Sequence, residues 1–463
     1  MTMRRLFIIV MTLAAGLAAS AQQSLTVEDC VRLGLENSVE VRNAVLDTRA
    51  ARLQKQEALA EYFPTVNAMG GAFRSLNPFI DIAITDVLGH SDLAYQIQEG
   101  VEQWAAPNDI NTKFRALNYG YGAVLNLSQP VFAGGRIVAG NRLAALGVRA
   151  ADTKSSLQRR QSSEDIQKMF YQVLALQEKQ VTLDVASRLL DTLYRDVSAA
   201  VEAGLALSTD LNAVKLKMSE LRAGRSKLDL GLRVAKMNLL DHIGVPYNPY
   251  SGIASENPHI DSFVLSGSFS DIMTPSQAYV DEERAVASLD EVSLLQMDVE
   301  AKTLERRMTL GAALPSVLFG ASYGYTRLLT NPKFNGAAYI MLQIPLTDWG
   351  KNSRKLERQR IEIVKSQNQR DFYQGQLILQ LRQLYMELSS AYDQMQIARD
   401  AEALAGERLS QMHESYNAGV CTITELLQSE VEARNSSEEG IQATLDYLIA
   451  LECYNLRVRG GRD

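Results

Sequence analysis

The sequence predicts a mixed α and β fold in which one unit of more than 200 residues occurs twice. Pro130 and Pro345 lie 215 positions apart in the similar contexts LSQPVFAGGR and LQIPLTDWGK. Two windows without proline, 131–245 and 346–463, leave room for very long helices, because proline breaks helix interiors. Short runs that alternate apolar with small or polar residues precede both windows and are typical of strands.

The duplication extends well beyond the two prolines. With the offset of 215, Ala203-Gly204 falls on Ala418-Gly419, and Thr209-Asp210-Leu211 falls on Thr424-Glu425-Leu426. Upstream the offset is 251, which carries Pro64-Thr65-Val66 onto Pro315-Ser316-Val317. The segment from Pro64 to Pro130 in the first copy is therefore 36 residues longer than the segment from Pro315 to Pro345 in the second. A repeat of this length fixes the architecture before any single element is assigned.

Residues 1–21 have the pattern of a secretory signal peptide. Arg4 and Arg5 precede a short apolar core at 6–17, and the small residues 19–21 form a cleavage site. Residue 22 is Gln rather than Cys, so the mature end shows no sign of a lipid anchor. No other stretch approaches the roughly 18 apolar residues of a membrane helix, and any membrane span must therefore consist of strands.

Composition and motifs exclude several functions. The formal charge of −7 argues against nucleic acid as a partner. The four histidines are scattered, and no HExxH motif, P-loop or zinc-spaced cysteine pair occurs, so we expect no enzyme, cofactor or metal site. Three cysteines in an exported chain do not form a disulfide framework, although a bridge between Cys30 and Cys453 stays open.

The two windows without proline predict long coiled-coil helices at about 136–202 and 351–417. Apolar residues recur there at spacings of three and four, as in coiled coils. The clearest series are Leu183, Ala186, Leu190, Leu193, Val197 and Ala200, and then Leu388, Ala391, Met395, Ala398, Ala405, Leu409, Met412 and Tyr416. At about 1.5 Å per residue each helix runs roughly 100 Å. Gly204 and Gly419 then mark the helix ends, where glycine enters the left-handed region.

Shorter helices at about 37–62 and 208–242 nearly match one long helix when they are placed end to end. The predicted organisation is a first repeat at 22–243, an irregular linker at 244–285 and a second repeat at 286–463. The linker contains four of the eleven prolines.

Four strands are predicted, at about 65–75, 119–129, 316–326 and 337–344. Each is about ten residues long, as in a tilted transmembrane strand. Their alternation places apolar residues outward and small or polar residues inward. Residues 76–117 and 328–335 form the connections, and the 36-residue insertion falls in the first of them. Four strands cannot close a barrel, whereas three copies of the chain would supply twelve.

The chain resembles the TolC family of outer-membrane efflux proteins over essentially its whole mature length. The resemblance depends on Ser24-Leu25-Thr26-Val27-Glu28-Asp29-Cys30, on both proline-to-glycine joints, on both Ala-Gly turns and on the ending from Leu426-Leu427 to Tyr447-Leu448-Ile449-Ala450-Leu451. It implies a homotrimer with a twelve-stranded transmembrane β-barrel above a long α-helical coiled-coil tunnel. A mixed equatorial region would contain Cys30, the linker and Cys453.

The resemblance also implies where the pore is narrowest. Glu425 falls where the family carries an acidic ring at the periplasmic tip, and three such carboxylates would favour cations and raise one another's pKa. The second acidic ring of the family falls on Gln428, which should weaken cation preference. Asp210 and Thr209 match positions that tie the tip helices together, and Tyr416 matches a tyrosine bonded to that aspartate.

The tip also departs from the family pattern, because Cys421 occupies the place of an expected basic residue. Structural roles are alternatives for three of these residues: a helix-start acid for Asp210, a solvated surface acid for Glu425 and helix packing for Tyr416. The strand-to-helix joints are Pro130 with Gly135 and Pro345 with Gly350.

The resulting hypothesis is a passive exit duct in the outer membrane of a Gram-negative bacterium, extending into the periplasm. It would serve a tripartite efflux or type I secretion system, opened by a periplasmic adaptor and fed by an inner-membrane pump. The alternative is a non-conducting, membrane-anchored periplasmic spacer. The sequence names neither the cargo nor the pump class.

Overall fold

The computed structural model describes residues 23–108, 110, 112–250, 253, 255–267, 272–327 and 333–459. The predicted signal peptide therefore lies outside the described residues. The elements are as follows in chain order. The strands are β1 Gln23–Leu25, β2 Thr65–Arg74, β3 Ile80–Ile82, β4 Phe114–Ala116, β5 Tyr119–Ala133, β6 Phe263–Leu265, β7 Ser316–Arg327 and β8 Lys333–Gln343. The helices are α1 Val27–Asn37, α2 Val39–Ala60, α3 Ile84–Leu88, α4 Asp92–Ala105, α5 Arg136–Glu202, α6 Ser208–His242, α7 Pro275–Ala278, α8 Glu282–Ala287, α9 Asp290–Ala312, α10 Lys351–Asn417 and α11 Ile423–Arg459.

The two longest helices confirm the predicted mixed fold with long coiled-coil helices. Helices α5 and α10 each contain 67 residues. The apolar series read from the sequence supplies their buried faces, since Leu190, Val197, Leu388 and Met395 are all fully buried. Helix α5 ends in the same turn geometry as α10, so the duplicated sequence produces duplicated structure.

The chain divides into two compact units. The first contains residues up to 50 together with 148–298 and 366–463. Its core has four clusters of buried apolar side chains, and the two largest serve different regions. One cluster joins α1, α5, α6 and β6 around Cys30, Phe170 and Phe263. The other, which we call the tip core, joins α5, α6 and α11 beneath the two Ala-Gly turns.

The predicted linker is less irregular than its prolines suggest. Within it β6 pairs in parallel with β1, where Gln23 lies opposite Phe263 and Leu25 lies opposite Leu265. Helices α7 and α8 follow, and Ala285 and Val286 of α8 pack against Val292 of α9 and Leu381 of α10. The linker therefore packs against β1 and the neighbouring helices, which prolines alone could not reveal.

The second unit contains residues 51–147 and 299–365 and is built on one four-stranded antiparallel sheet. The strand order is β2-β5-β7-β8, so β2 and β8 are the two edges. Strand β5 runs to Ala133, beyond the predicted end near 129. The register shifts between Pro130 and Phe132, so that Val131 is left out of the ladder and Pro130 lies at a bulge, one of the places where sheets accept proline.

The register places the larger share of the apolar residues of the four strands on one face. Ala68 lies opposite Leu125, which lies opposite Tyr323, and the same face continues to Gly336. On the other face Asn67 lies opposite Asn126, followed by Ser322 and Ala337. Because side chains alternate along a strand, the sheet has one mainly apolar face and one face richer in small and polar residues. The second face also carries Met69, Phe73, Val124, Leu318, Tyr339 and Met341.

Residues 76–117 fold into a small substructure, which we call the insertion. It contains α3 and α4 and is closed by the antiparallel pairing of β3 with β4, where Ile82 lies opposite Phe114. None of the described helices is long and apolar enough to cross a membrane.

Candidate functional site

The two Ala-Gly turns have the same hydrogen-bonded geometry. Gly204 has a φ of 74° and donates to the Val201 carbonyl at 3.0 Å, while the Leu205 amide reaches the Ala200 carbonyl at 2.8 Å. This pair of bonds is the Schellman motif, which satisfies helix-end carbonyls and favours glycine in the left-handed position.

The second turn repeats these bonds. Gly419 has a φ of 73° and donates to the Tyr416 carbonyl at 2.9 Å, and Val420 reaches the Ser415 carbonyl at 2.9 Å. Leu205 and Val420 occupy equivalent positions in the two motifs and are 84% and 80% exposed. The turns therefore present apolar side chains to their surroundings instead of packing them on the helices.

Glu425 belongs to a capping box at the start of α11. Its Oε2 accepts hydrogen bonds from the Thr422 amide at 2.7 Å and the Thr422 hydroxyl at 2.9 Å, and the Glu425 amide donates to Thr422 Oγ1 at 3.3 Å. These bonds hold the pKa of the Glu425 carboxyl below its ordinary value of 4.5. The side chain is exposed, so it is both a helix cap and an accessible negative charge.

Gln428 lies one turn after Glu425 and is also exposed. Its amide nitrogen donates to Glu432 Oε1 at 3.3 Å, and Glu432 forms an ion pair with Arg408 of α10 at 2.7 Å. Residues 425, 428 and 432 fall on one helix face at spacings of three and four. The nearest acid after Glu425 on this face is therefore already paired with a cation.

Asp210 is the equivalent acid at the start of α6. It lies in the first turn, where its Oδ2 accepts from the Leu207 amide at 3.3 Å. Leu207 has no side-chain oxygen and cannot complete a capping box, unlike Thr422 in the second repeat. Thr209 is exposed beside it. The helix-start role expected as an alternative for Asp210 is thus present in the structure.

Tyr416 is half-buried against the tip core. Burial, followed by the negative charges of Asp210 and Asp196, raises the pKa of its phenol. Within the described part of the chain, no hydrogen bond joins the Tyr416 hydroxyl to the Asp210 carboxylate. The two groups interact through charge, and the bond between them stays a prediction for the assembled protein.

Cys421 replaces the basic residue with a neutral thiol. Its Sγ donates to the Met412 carbonyl at 3.4 Å, so it links the two sides of the turn that joins α10 to α11. Burial, aided by the negative charge of Glu425, raises the pKa of this thiol. The residue therefore supplies no positive charge at this turn.

The tip core holds these turns in place. Leu190 and Val197 of α5, Val214 of α6, and Leu426 and Leu427 of α11 form its fully buried centre. Burial of each large aliphatic side chain contributes about 1.5–3 kcal/mol.

At the strand-to-helix joints, glycines provide a left-handed backbone and a close chain contact, and an aspartate caps the second long helix. Gly134 has a φ of 62°, and a Cβ atom there would lie 2.1 Å from the Gly311 carbonyl oxygen, so this position admits only glycine. Gly135 and Gly350 both have a φ of 80°. At the second joint Asp348 accepts from the amides of Gly350 at 3.0 Å and Asn352 at 2.7 Å, which caps α10. Pro130 and Pro345 immediately precede these joints.

A buried acid that the sequence did not reveal lies two residues after Gln428. Glu430 is 4% exposed and faces Arg434 at 3.9 Å. Burial raises the pKa of its carboxyl, while Arg434 and Lys217 oppose that shift. The spacing of Glu430, Arg434 and Glu438 resembles a solvated helix face, so periodicity alone gave no sign of burial.

A second polar cluster joins helices in the region of Cys453. The Cys453 thiol donates to Glu164 at 3.3 Å, and Lys168 reaches the same carboxylate at 2.6 Å. Nearby, Arg457 of α11 donates to Glu291 of α9 at 2.9 Å. All three cysteines are free, so the bridge between Cys30 and Cys453 that the sequence left open is not formed.

The described residues hold no group of three or more histidine, cysteine or acidic side chains that could bind a metal ion. The features that the sequence and structure share are two repeated helix turns, a two-faced sheet and an exposed acid at a helix start.

Residues 285–453 match the family model described as outer membrane efflux protein. The second half of the chain is therefore similar to outer membrane efflux proteins. No curated protein sequence matches it. Solved structures extend the likeness over both repeats. CusC is 14% identical with a TM-score of 0.70, covering 94% of this chain and 92% of that chain.

Two further structures of this kind are outer membrane channels. Campylobacter jejuni CmeC is 13% identical with a TM-score of 0.69, covering 94% of this chain and 85% of that chain. The open state of Neisseria gonorrhoeae MtrE is 15% identical with a TM-score of 0.68, covering 94% of this chain and 89% of that chain. At these identities the structural likeness establishes that the chain has the fold of these channels.

Proposed function

We propose that this protein is an outer-membrane exit duct that passively conducts its cargo from the periplasm to the exterior. It works in the outer membrane of a Gram-negative bacterium and extends into the periplasm, as part of a tripartite efflux or type I secretion system. The observation that carries the proposal is the two-faced sheet with two open edges. The apolar face suits lipid, and the small, polar face suits a water-filled lumen.

The open edges require other copies of the chain. Strands β2 and β8 run antiparallel, since each strand of the sheet is antiparallel to its neighbour. Joining β8 of one copy to β2 of the next therefore continues the antiparallel pattern. Because unpaired backbone groups are not tolerated in lipid, a closed ring follows, and three copies supply twelve strands.

The tip turns support two further roles. Three Glu425 carboxylates around the axis would form the acidic constriction, with Gln428 reducing its charge relative to a double ring. Asp210, Thr209 and Tyr416 would stabilise the closed state. The exposed Leu205 and Val420 suit an apolar groove on a periplasmic adaptor protein, through which an inner-membrane pump is connected.

Single-channel conductance in a planar bilayer tests this function, and the capping box dictates the choice of variant. Glu425→Gln removes the charge but keeps a side chain that can complete the box. Thr422→Ala breaks the box but keeps the charge. We expect discrete steps from the native trimer, reduced cation selectivity in Glu425→Gln, and unchanged selectivity in Thr422→Ala.

Each result has a distinct meaning. If Glu425→Gln conducts in discrete steps with unchanged cation selectivity, the protein is a duct whose constriction lies elsewhere than at the tip. A confirmed trimer that never conducts, even after its adaptor is added, would favour the alternative of a structural spacer, which the continuous helix packing also fits.

A further inference from the structure

In the insertion at residues 76–117, small side chains are buried and many large apolar side chains are exposed, which is the reverse of a usual protein core. Its fully buried side chains are small: Thr85, Ala94 and Ala105. Its large apolar side chains are exposed, namely Leu76, Phe79, Val87, Leu88, Leu93, Ile97, Trp104 and Phe114. Monomeric proteins rarely expose so much contiguous apolar surface without a partner.

The inner side of the insertion is nevertheless ordered by specific bonds. The Thr85 amide donates to Gln98 Oε1 at 3.2 Å, and Gln98 Nε2 donates to Glu102 Oε1 at 2.9 Å. Ser91 caps α4 by accepting from the Ala94 amide at 3.2 Å. These polar contacts fix which face of α4 points inward. The exposure of the other face therefore follows from specific hydrogen bonds within the insertion.

The exposed half of α4 is divided into two stripes. At 3.6 residues per turn, Leu93, Ile97 and Trp104 lie on one line along the helix. Leu93 is 67% exposed and Trp104 is 66% exposed. A parallel line contains only polar residues, namely Asp92, Gln96, Glu99 and Gln103. The apolar stripe has the spacing of a helix-packing surface.

A second apolar patch, which we call the arm patch, lies where the insertion leaves the sheet. It consists of Leu76, Phe79 and Phe114, all exposed. Phe79 packs edge-on against Phe73 of β2, with ring centroids 6.2 Å apart. Strand β2 is an edge of the sheet, so the arm patch lies beside a strand that pairs with β5 on one side only.

We propose that the apolar stripe of α4 packs on the arm patch of the neighbouring copy, so that three insertions form a closed collar at the outer end of the duct. This inference rests on the proposed function. A cyclic trimer joins two different patches on each subunit, and the insertion carries two. The collar is continuous with the β2–β8 junction between copies.

Charge disfavours a lipid surface as the occupant. Helices that lie in membrane interfaces are rich in lysine and arginine, whereas residues 92–105 contain Asp92, Glu99 and Glu102 and no basic residue. Pairing of β8 with β2 would hold the neighbouring copy beside the insertion. The effective concentration of the arm patch near α4 would then be high, so a small apolar contact suffices.

Site-specific photo-crosslinking in intact cells tests the collar. A benzophenone amino acid at position 97 lies on the apolar stripe, and the same group at position 99 lies on the polar stripe as a matched control. We expect adducts of two and three chains from position 97 and none from position 99. Adducts with lipid, adducts with a different protein, or no adduct from an assembled trimer would overturn the proposal.

Native electrophoresis of the same membranes separates the two levels of inference. Absence of any trimer would refute the proposed function, whereas a trimer without adducts at position 97 would refute only the collar. Ile97→Ser with Trp104→Ser should also lower the temperature at which the detergent-solubilised trimer dissociates, while Gln96→Ser with Gln103→Ser should leave it unchanged. Equal dissociation temperatures for the two double variants would likewise contradict the collar.

Discussion

The assignment of the two sheet faces can be tested at neighbouring positions on β5. Leu125 lies near the middle of the strand on the apolar face, with Ala68 and Tyr323 on either side. Asn126 is the next residue and lies on the polar face, between Asn67 and Ser322. Leu125→Arg therefore places a charge toward lipid, and Asn126→Arg places the same charge toward the lumen.

The size of the effect follows from the depth of the residue. An arginine facing lipid near the bilayer midplane costs about 2–4 kcal/mol per chain. A cost of about 1.4 kcal/mol corresponds to a factor of ten, so Leu125→Arg should lower the folding equilibrium of each chain by about 30-fold to several hundred-fold. Asn126→Arg adds little cost, because its charge stays hydrated.

Urea titration of the protein refolded in lipid vesicles measures this difference, with gel mobility before and after heating as the readout of folding. We expect a large loss of stability for Leu125→Arg and a small change for Asn126→Arg. Equal losses for both, or a larger loss for Asn126→Arg, would refute the assignment of the faces.

Three further outcomes are expected. Leu426→Ala leaves a cavity in the tip core and should lower the free energy of unfolding by about 2–5 kcal/mol in thermal denaturation, with Leu426→Met as the mild control. The bonds from Thr422 depress the pKa of Glu425, so the capping contribution is complete above pH 4.5 and is lost as the pH falls below it through the lowered folded-state pKa. Hydrogen exchange at the start of α11 should show this loss in the native chain and not in Thr422→Ala. Gly134→Ala should reduce the yield of folded protein on heated gels, because its Cβ would collide with Gly311, whereas Gly71→Ala meets open space and should not. Unchanged stability, an unaltered pH response or equal yields would contradict the respective prediction.

The long helices and the strands could be predicted because each has a periodic signal that persists over many residues. Leu190, Val197, Leu388 and Met395 are buried as the coiled-coil spacing requires. Strand alternation likewise predicted one mainly apolar face, and the register shows it, although Met69, Tyr339 and Met341 lie on the other face. The end of β5 was missed because Pro130 normally argues against a strand, and the bulge that admits it has no local signature.

The candidate site was harder to predict, since its contacts depend on which residues meet in three dimensions. The bonding of Glu425 with Thr422 is a local signal of the form Thr-x-x-Glu that the resemblance to a pore residue overshadowed. The burial of Glu430 and the pairing of Glu432 with Arg408 depend on packing between helices. The inverted insertion has no counterpart in the second repeat, so the duplication gave no information about it.

The duplication has a consequence for how such a ring can evolve. Each half of the chain supplies one antiparallel pair of strands and one long helix, so six separate halves could close the same circle with identical contacts. Fusion of two halves in one gene makes alternate positions around that circle independent. The start of α11 has Thr422 where the start of α6 has Leu207, and only the first half contains the insertion. In the proposed trimer, a mutation in the fused chain would therefore change three places of the circumference and leave the three between them as they were.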